Sequence, residues 1–158
     1  MITAVDSNVL IDVLSPDPTQ GRAAWEALQA SRRRGPVVAC DVVYSEVAGY
    51  FESPEEARRV LAKLGVRYEP TSERAALQAS RIQREYHLRG GDRQRLAPDF
   101  LVGAHAIDVA DRLLTRDRGF YRAYFRDLMI VEPLRSRADL DRTGFRRSVG
   151  DLTPQRGR

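Results

Sequence analysis

The sequence predicts an α/β fold, a three-layer α/β/α domain with a mostly parallel central sheet. Three observations carry that expectation. Short apolar strand-like runs alternate with helix-period segments as far as about residue 131. Proline, glycine and capping residues mark the junctions between them. The length, 158 residues, suits one domain with its own core and is too short for two. Alternating strands and helices need crossover connections, which make neighbouring strands parallel and cover both faces of the sheet.

Residues 2 to 5 read as a first apolar strand, and residues 7 to 14 as a brief helix stopped by Ser15, Pro16 and Pro18. A longer helix over about 19 to 33 leads through Gly35 and Pro36 into a second strand, 37 to 40. Asp41 is the expected N-cap of a helix reaching about Phe51. Ser53, Pro54 and Glu56 combine a capping box with proline at the first helical position and start a helix to about Leu64. Residues 66 to 69 form a third strand, and a helix from about Ser72 ends at Gly90, with the polar stretch 89 to 95 as a loop. Pro98 opens a helix to about Ala110. Residues 112 to 115 then form a fourth strand, 119 to 125 a short helix and 128 to 131 a last strand.

With 42% hydrophobic and 30% charged residues, the composition is that of a soluble globular protein. No apolar run approaches the roughly 18 residues of a membrane span. The first fourteen residues carry Asp6 and Asp12 where a secretory leader would be basic, so a cytoplasmic location with no membrane partner is expected. The single cysteine, Cys40, excludes an internal disulfide and a cysteine-based zinc site, and reads as a small buried residue at a strand end. The net charge of +4 resides in residues 135 to 158, which hold seven arginines and three aspartates; the body balances at nineteen charges of each sign. The expected organisation is a domain over residues 1 to 134 and a basic, mobile C-terminal tail over 135 to 158. Lys63 is the only lysine among 26 basic residues. Such an excess of arginine either favours bidentate contacts to phosphate or carboxylate or reflects a codon bias toward Arg and Ala.

Open parallel sheets bind ligands beyond the carboxyl ends of their strands. Asp6 closes the first strand, and Asp117 lies two residues past the fourth. Glu46 follows the second strand within a helix, one turn from Val42, Val43 and Tyr50, and so is expected on a largely apolar side in need of a partner. Asp99 stands in the first turn of its helix, where Gly103 and Ala106 continue its face with side chains too small to block access. Taken singly, Asp99 also serves as a favourable charge at a helix start, and Asp117 as a turn residue before Gly119. Together the four acids point to a metal site, and an all-oxygen donor set selects magnesium or manganese over zinc or copper. Neither His87 nor His105 has a metal-binding spacing, and His105 is read as structural.

Four segments carry a family resemblance: Val5-Asp6-Ser7-Asn8-Val9-Leu10, Val43-Tyr44-Ser45-Glu46-Val47, Pro98-Asp99-Phe100-Leu101-Val102-Gly103-Ala104-His105-Ala106, and Leu114-Thr115-Arg116-Asp117-Arg118-Gly119-Phe120. In order and position they resemble the four acidic motifs of PIN-domain nucleases, more narrowly VapC-type toxins of bacterial toxin-antitoxin pairs, over about residues 1 to 133. The resemblance implies a PIN-like fold and Mg²⁺-dependent endonucleolytic cleavage of RNA, with Mn²⁺ as a substitute ion and 5′-phosphate and 3′-hydroxyl ends. It also implies a homodimer and inhibition by a small antitoxin protein. It assigns catalysis and metal coordination to Asp6, Glu46, Asp99 and Asp117, and supporting roles to the amide of Asn8 and the hydroxyl of Thr115. The tail beyond Arg135 has no counterpart in the pattern.

In such a site metal offsets the carboxylates and polarises the scissile phosphate, while water attacks in line and no protein nucleophile is needed. Asp99 or Asp117 is the candidate general base, and the sequence does not choose between them. A phospho-acceptor domain would need a lysine after a late strand, whereas Lys63 lies in a mid-chain helix. A phosphatase with an N-terminal aspartate pair would need an acid where Asn8 stands. The remaining alternative is a non-catalytic RNA- or partner-binding module with a structural ion, its affinity supplied by the arginine tail.

Overall fold

The computed structural model describes residues 1–15, 17–92 and 97–134. Its strands are β1 (Thr3–Val5), β2 (Val37–Ala39), β3 (Val66–Tyr68), β4 (Arg112–Leu114) and β5 (Met129–Val131). All neighbouring pairs are parallel, in the order β3-β2-β1-β4-β5. The expectation of a mostly parallel sheet therefore understates the result: among the described residues every pairing is parallel. The three central strands are buried along their length, as near-continuous Val, Ala and Leu runs require when both faces are covered.

The helices are α1 (Ser7–Leu14), α2 (Pro18–Arg34), α3 (Asp41–Ala48), α4 (Pro54–Lys63), α5 (Glu73–Leu88), α6 (Ala97–Val109) and α7 (Arg118–Tyr124). From β1 the chain winds through β2 to β3, then crosses back to β4 and continues to β5. Right-handed crossovers consequently place α1 to α4 on one side of the sheet and α5 to α7 on the other. The winding reverses between β1 and β4, and that reversal makes their carboxyl ends the crevice where an open sheet receives a ligand.

Local chemistry sets the boundaries. Ser53 Oγ accepts from the Glu56 N–H at 3.2 Å, with Pro54 in the first turn, and Ser72 Oγ accepts from the Ala75 N–H at 3.1 Å. Gly65 and Gly90 end α4 and α5 with positive φ angles of 71° and 78°. One expected cap is corrected. Cys40, buried, takes the N-cap position of α3, and Asp41 is the first helical residue. The Asp41 carboxylate reaches the β3 end instead, accepting from the Tyr68 hydroxyl and from the Thr71 N–H at 2.8 Å. Burial opposes its charge, but the hydrogen bonds from Thr71 and Tyr68 hold it well below the usual carboxylate range. Part of the expected loop over 89 to 95, and the whole tail over 135 to 158, lie outside the described residues.

An aromatic cluster locks the second helical layer. Phe100 of α6 meets Phe120 of α7 edge to face at 5.2 Å and Tyr86 of α5 at 5.5 Å. Since Asp99 precedes Phe100 and Asp117 lies one turn before Phe120, this packing also fixes where two of the acids begin their helices. No helix among the described residues is long and apolar enough to cross a membrane.

Candidate active site

Asp6 is the centre of the site, at the end of β1 where the winding reverses. Its backbone N–H donates to the Leu114 carbonyl of β4 at 3.0 Å, tying it to the neighbouring strand. The residue occupies the N-cap position of α1 with extended backbone, yet its carboxylate forms no capping bond. An aspartate in that position ordinarily accepts from the first-turn amides. Here Oδ2 accepts from Asn8 Nδ2 at 2.7 Å and from Thr115 Oγ1 at 2.7 Å, with the Tyr121 hydroxyl at 3.5 Å. Asp6 is only 7% exposed. Burial pushes its carboxyl up from the usual range; the Thr115 hydrogen bond resists that, while the charges of Asp99 and Glu46 push it further.

Thr115 and Asn8 act as a brace. Thr115, fully buried just past β4, donates to Asp6 and accepts from Asn8 Nδ2 at 3.2 Å and from the Asp117 N–H at 3.0 Å. Asn8 completes the link by accepting the Arg116 N–H at 3.2 Å. The first turn of α1 is thereby stitched to the segment after β4.

The other acids approach from separate elements. Asp99 lies half-buried in the first turn of α6. Asp117, also half-buried, is the N-cap of α7 and accepts from the Phe120 N–H at 3.4 Å, so the turn role open to it from sequence is realised. Glu46 calls for a correction. It is exposed, and the apolar side of α3 is the one carrying Val43 and Val47, both buried. Glu46 faces outward, as does Tyr50 just past the end of α3, and no buried charge needs neutralising there. A second correction concerns Gly103, whose missing Cβ makes room for the Phe125 ring at 2.5 Å from where that atom would stand, rather than opening a path to Asp99.

An ion of the magnesium type takes oxygen donors, and Asp6, Glu46, Asp99 and Asp117 offer nothing else, so the chemistry of the donor set fits. Asp99 and Glu46 bear electrostatically on Asp6. Among the described residues, however, no group of three or more His, Cys, Asp or Glu side chains is near enough together to hold a metal ion. Asp117 is linked to Asp6 through the Thr115 hydroxyl, which donates to the Asp6 carboxylate and accepts from the Asp117 N–H. His105 plays no part; it is 1% exposed and belongs to the core of α6.

Two features escaped sequence reasoning. Asp12, buried on α1, pairs with Arg116 Nε at 2.8 Å, and Arg116 also donates to Gln20 Oε1 at 3.0 Å, so one arginine beside the site straps α1 and α2 to the β4–α7 turn. Tyr121, fully buried, brings its hydroxyl toward Asp6 from α7. A one-turn spacing from Asp117 was the only sequence signal for it.

A family model described as "PIN domain" matches residues 3–126. Comparison with curated proteins finds no significant match. Among solved structures, the chain is similar to VapBC2 from Rickettsia felis bound to a promoter DNA fragment, at 15% identity and a TM-score of 0.65, over 84% of this chain and 98% of the other. A toxin-antitoxin complex from Klebsiella pneumoniae gives 22% identity and a TM-score of 0.62, over 85% and 99%. VapC20 from Mycobacterium tuberculosis, described as a sarcin-ricin loop cleaving toxin, gives 18% and 0.57, over 80% and 98%. At such identities the likeness is one of fold.

Proposed function

The chain belongs to the PIN-domain family, and from that premise we propose that it is a metal-dependent endoribonuclease acting as the toxin of a toxin-antitoxin pair. The observation that carries the reading is the state of Asp6. It is a buried carboxylate at the sheet's switch point that forgoes its helix cap, is held by Asn8 and Thr115, and feels Asp99 and Glu46. A buried acid beside two like charges, without a basic partner among the described residues, is costly to the fold, and that cost supports a functional role.

Asp6, Asp99, Asp117 and Glu46 are the residues that would hold Mg²⁺, with Mn²⁺ as a substitute. When bound, the ion supplies charge neutralisation at the scissile phosphate and activation of water. The chain's own residues perform the positioning. Asn8 and Thr115 fix the Asp6 carboxylate, and Asp117 is fixed through its own N–H to Thr115. Glu46, exposed on α3 and acting on Asp6 through its charge, would be the donor supplied by that helix. Asp99 or Asp117 would orient or deprotonate the attacking water.

The partners follow from the same premise: an RNA substrate, a small antitoxin protein that blocks the acidic pocket, and a second copy of the chain. The solved relatives described as complexes with antitoxins support the second. A non-catalytic binding module with a structural ion is the alternative, favoured by the unclosed donor set among the described residues. The decisive experiment incubates the purified chain with defined RNAs in Mg²⁺ or EDTA, beside Asp6→Asn and Asp99→Asn. Cleavage that requires Mg²⁺ and disappears in both variants is expected; metal-bound protein without turnover would select the alternative. Toxin action is read separately, as growth arrest on expression alone and recovery on co-expression with the antitoxin.

A further inference from the structure

Away from the acids, a cavity of about 280 Å³ opens between α2 and the β4–β5 side of the sheet. Its walls are small and apolar, chiefly Ala23, Ala27, Ala30 and Val131. Two arginines, Arg34 and Arg112, line it as well. Arg112 is only 3% exposed. Its Nε donates to Thr3 Oγ1 at 2.8 Å, which locks the guanidinium plane, and its Nη2 is buried without a hydrogen-bond partner among the described residues. A buried, charged donor left unpaired is costly and rare.

The cavity's own acids do not satisfy it. Glu26 pairs with Arg22 at 3.0 Å and Glu132 with Arg118 at 3.2 Å, both arginines outside the lining. Arg34 lines the cavity as a second positive charge. Thr3 and Arg112 begin β1 and β4, whereas Asp6 and Thr115 follow the other ends of the same strands, so this cavity is distinct from the acidic site.

We propose that this cavity binds a small organic carboxylate, its charged head on Arg112 and Arg34 and its short aliphatic stem between the alanines of α2 and Val131. A carboxylate matches the planar guanidinium donors of the two arginines that line the cavity. The walls carry no aromatic ring to stack a nucleobase, and their apolar character favours a stem over a bare inorganic anion.

The test uses the full chain with butyrate as probe, and with butanamide and inorganic phosphate as controls. Binding is followed by the NMR signal of the Arg112 side-chain N–H and by the melting temperature, neither of which depends on nuclease activity. Butyrate should shift the Arg112 signal saturably and raise the melting temperature, while butanamide and phosphate do neither at the same concentrations. Arg34→Gln, an exposed and tolerant position, should weaken butyrate binding about tenfold or more. Ala27→Met should block the cavity with both charges intact. The proposal is overturned if butyrate produces no saturable shift, if butanamide or phosphate matches it, or if both variants bind butyrate as the parent does.

Discussion

Thr115 donates its hydroxyl to Asp6 at 2.7 Å across 109 positions of sequence, joining the ends of the two strands between which the sheet reverses its winding. The same oxygen accepts from Asn8 and from the Asp117 N–H. One hydroxyl thus sets the relative positions of two acids supplied by different elements. A methyl group in its place would leave a buried carboxylate short of a donor and two donors short of an acceptor.

Thr115→Val keeps the side-chain shape and removes that oxygen. It is expected to lower stability by about 1–3 kcal/mol and RNA cleavage by about 10–100-fold. Thr115→Ser should restore most of both. Urea unfolding and initial cleavage rates on the three proteins decide the matter. Equal activity in the valine and serine forms would remove the brace from the account.

Asp117 has two roles that substitution can separate. Asparagine is as good an N-cap as aspartate, so Asp117→Asn should leave thermal stability nearly unchanged while cleavage falls by orders of magnitude. Asp117→Ala should add a loss of about 0.5–2 kcal/mol from the α7 cap. If the asparagine form cleaves RNA normally, Asp117 is a cap only.

Gly103 tests a packing claim. A Cβ there would stand 2.5 Å from the Phe125 ring, itself buried, so Gly103→Ala gains helix propensity but overpacks the α6–α7 contact. A net destabilisation of about 1–3 kcal/mol is expected from that overpacking. Partial recovery in Gly103→Ala with Phe125→Leu would identify the ring as the obstacle. A stabilised Gly103→Ala protein would show that α6 has room to shift.

Periodicity and caps were enough to read every described strand and helix, because buried parallel strands are short apolar runs and their helices announce themselves through Ser53-Pro54 and Ser72. The acids were legible as types and as positions after strands. Their orientation was not. Glu46 was assigned to the apolar side because Val42, Val43 and Tyr50 flank it, yet Val43 and Val47 choose the buried side and turn Glu46 outward. Asp41 looked like a cap, but a residue from a distant segment, Thr71, competes for its carboxylate. Helix rotation and long-range donors depend on what packs opposite, and a single sequence does not carry that information locally. The unpartnered Nη2 of Arg112 was hidden for the same reason.

His105 supplies the pH dependence. Burial pulls its pKa below the usual 6.5; the backbone hydrogen bond to Glu69 opposes this, as do the charges of Asp41, Glu69 and Asp108. Between the folded value and 6.5 the unfolded chain binds more protons than the folded one, so stability contributed by the neutral ring is lost as pH falls through that window. His105→Phe removes the titration. The stability difference between variant and parent should move in the variant's favour from about pH 7.5 to about pH 5.5. A pH-independent difference in urea unfolding would show that the ring does not titrate with folding.

Asp6 ties stability to metal without any substrate. Burial and the neighbouring charges of Asp99 and Glu46 disfavour its ionised form in the metal-free protein. Asp6→Asn removes the charge but keeps an oxygen to accept from Asn8 or Thr115, so in EDTA the variant should melt at or above the parent's temperature. With free Mn²⁺ near 100 times its dissociation constant, the parent should gain roughly 2.7 kcal/mol, provided the unfolded chain does not bind the ion. The variant, lacking a ligand, should lose most of that gain together with RNA cleavage. Paired melts in EDTA and Mn²⁺, in one buffer, make the comparison direct. A variant that is much less stable in EDTA yet shifts normally with Mn²⁺ would make Asp6 a structural acid, held by Asn8 and Thr115 for the fold alone, with any bound ion elsewhere.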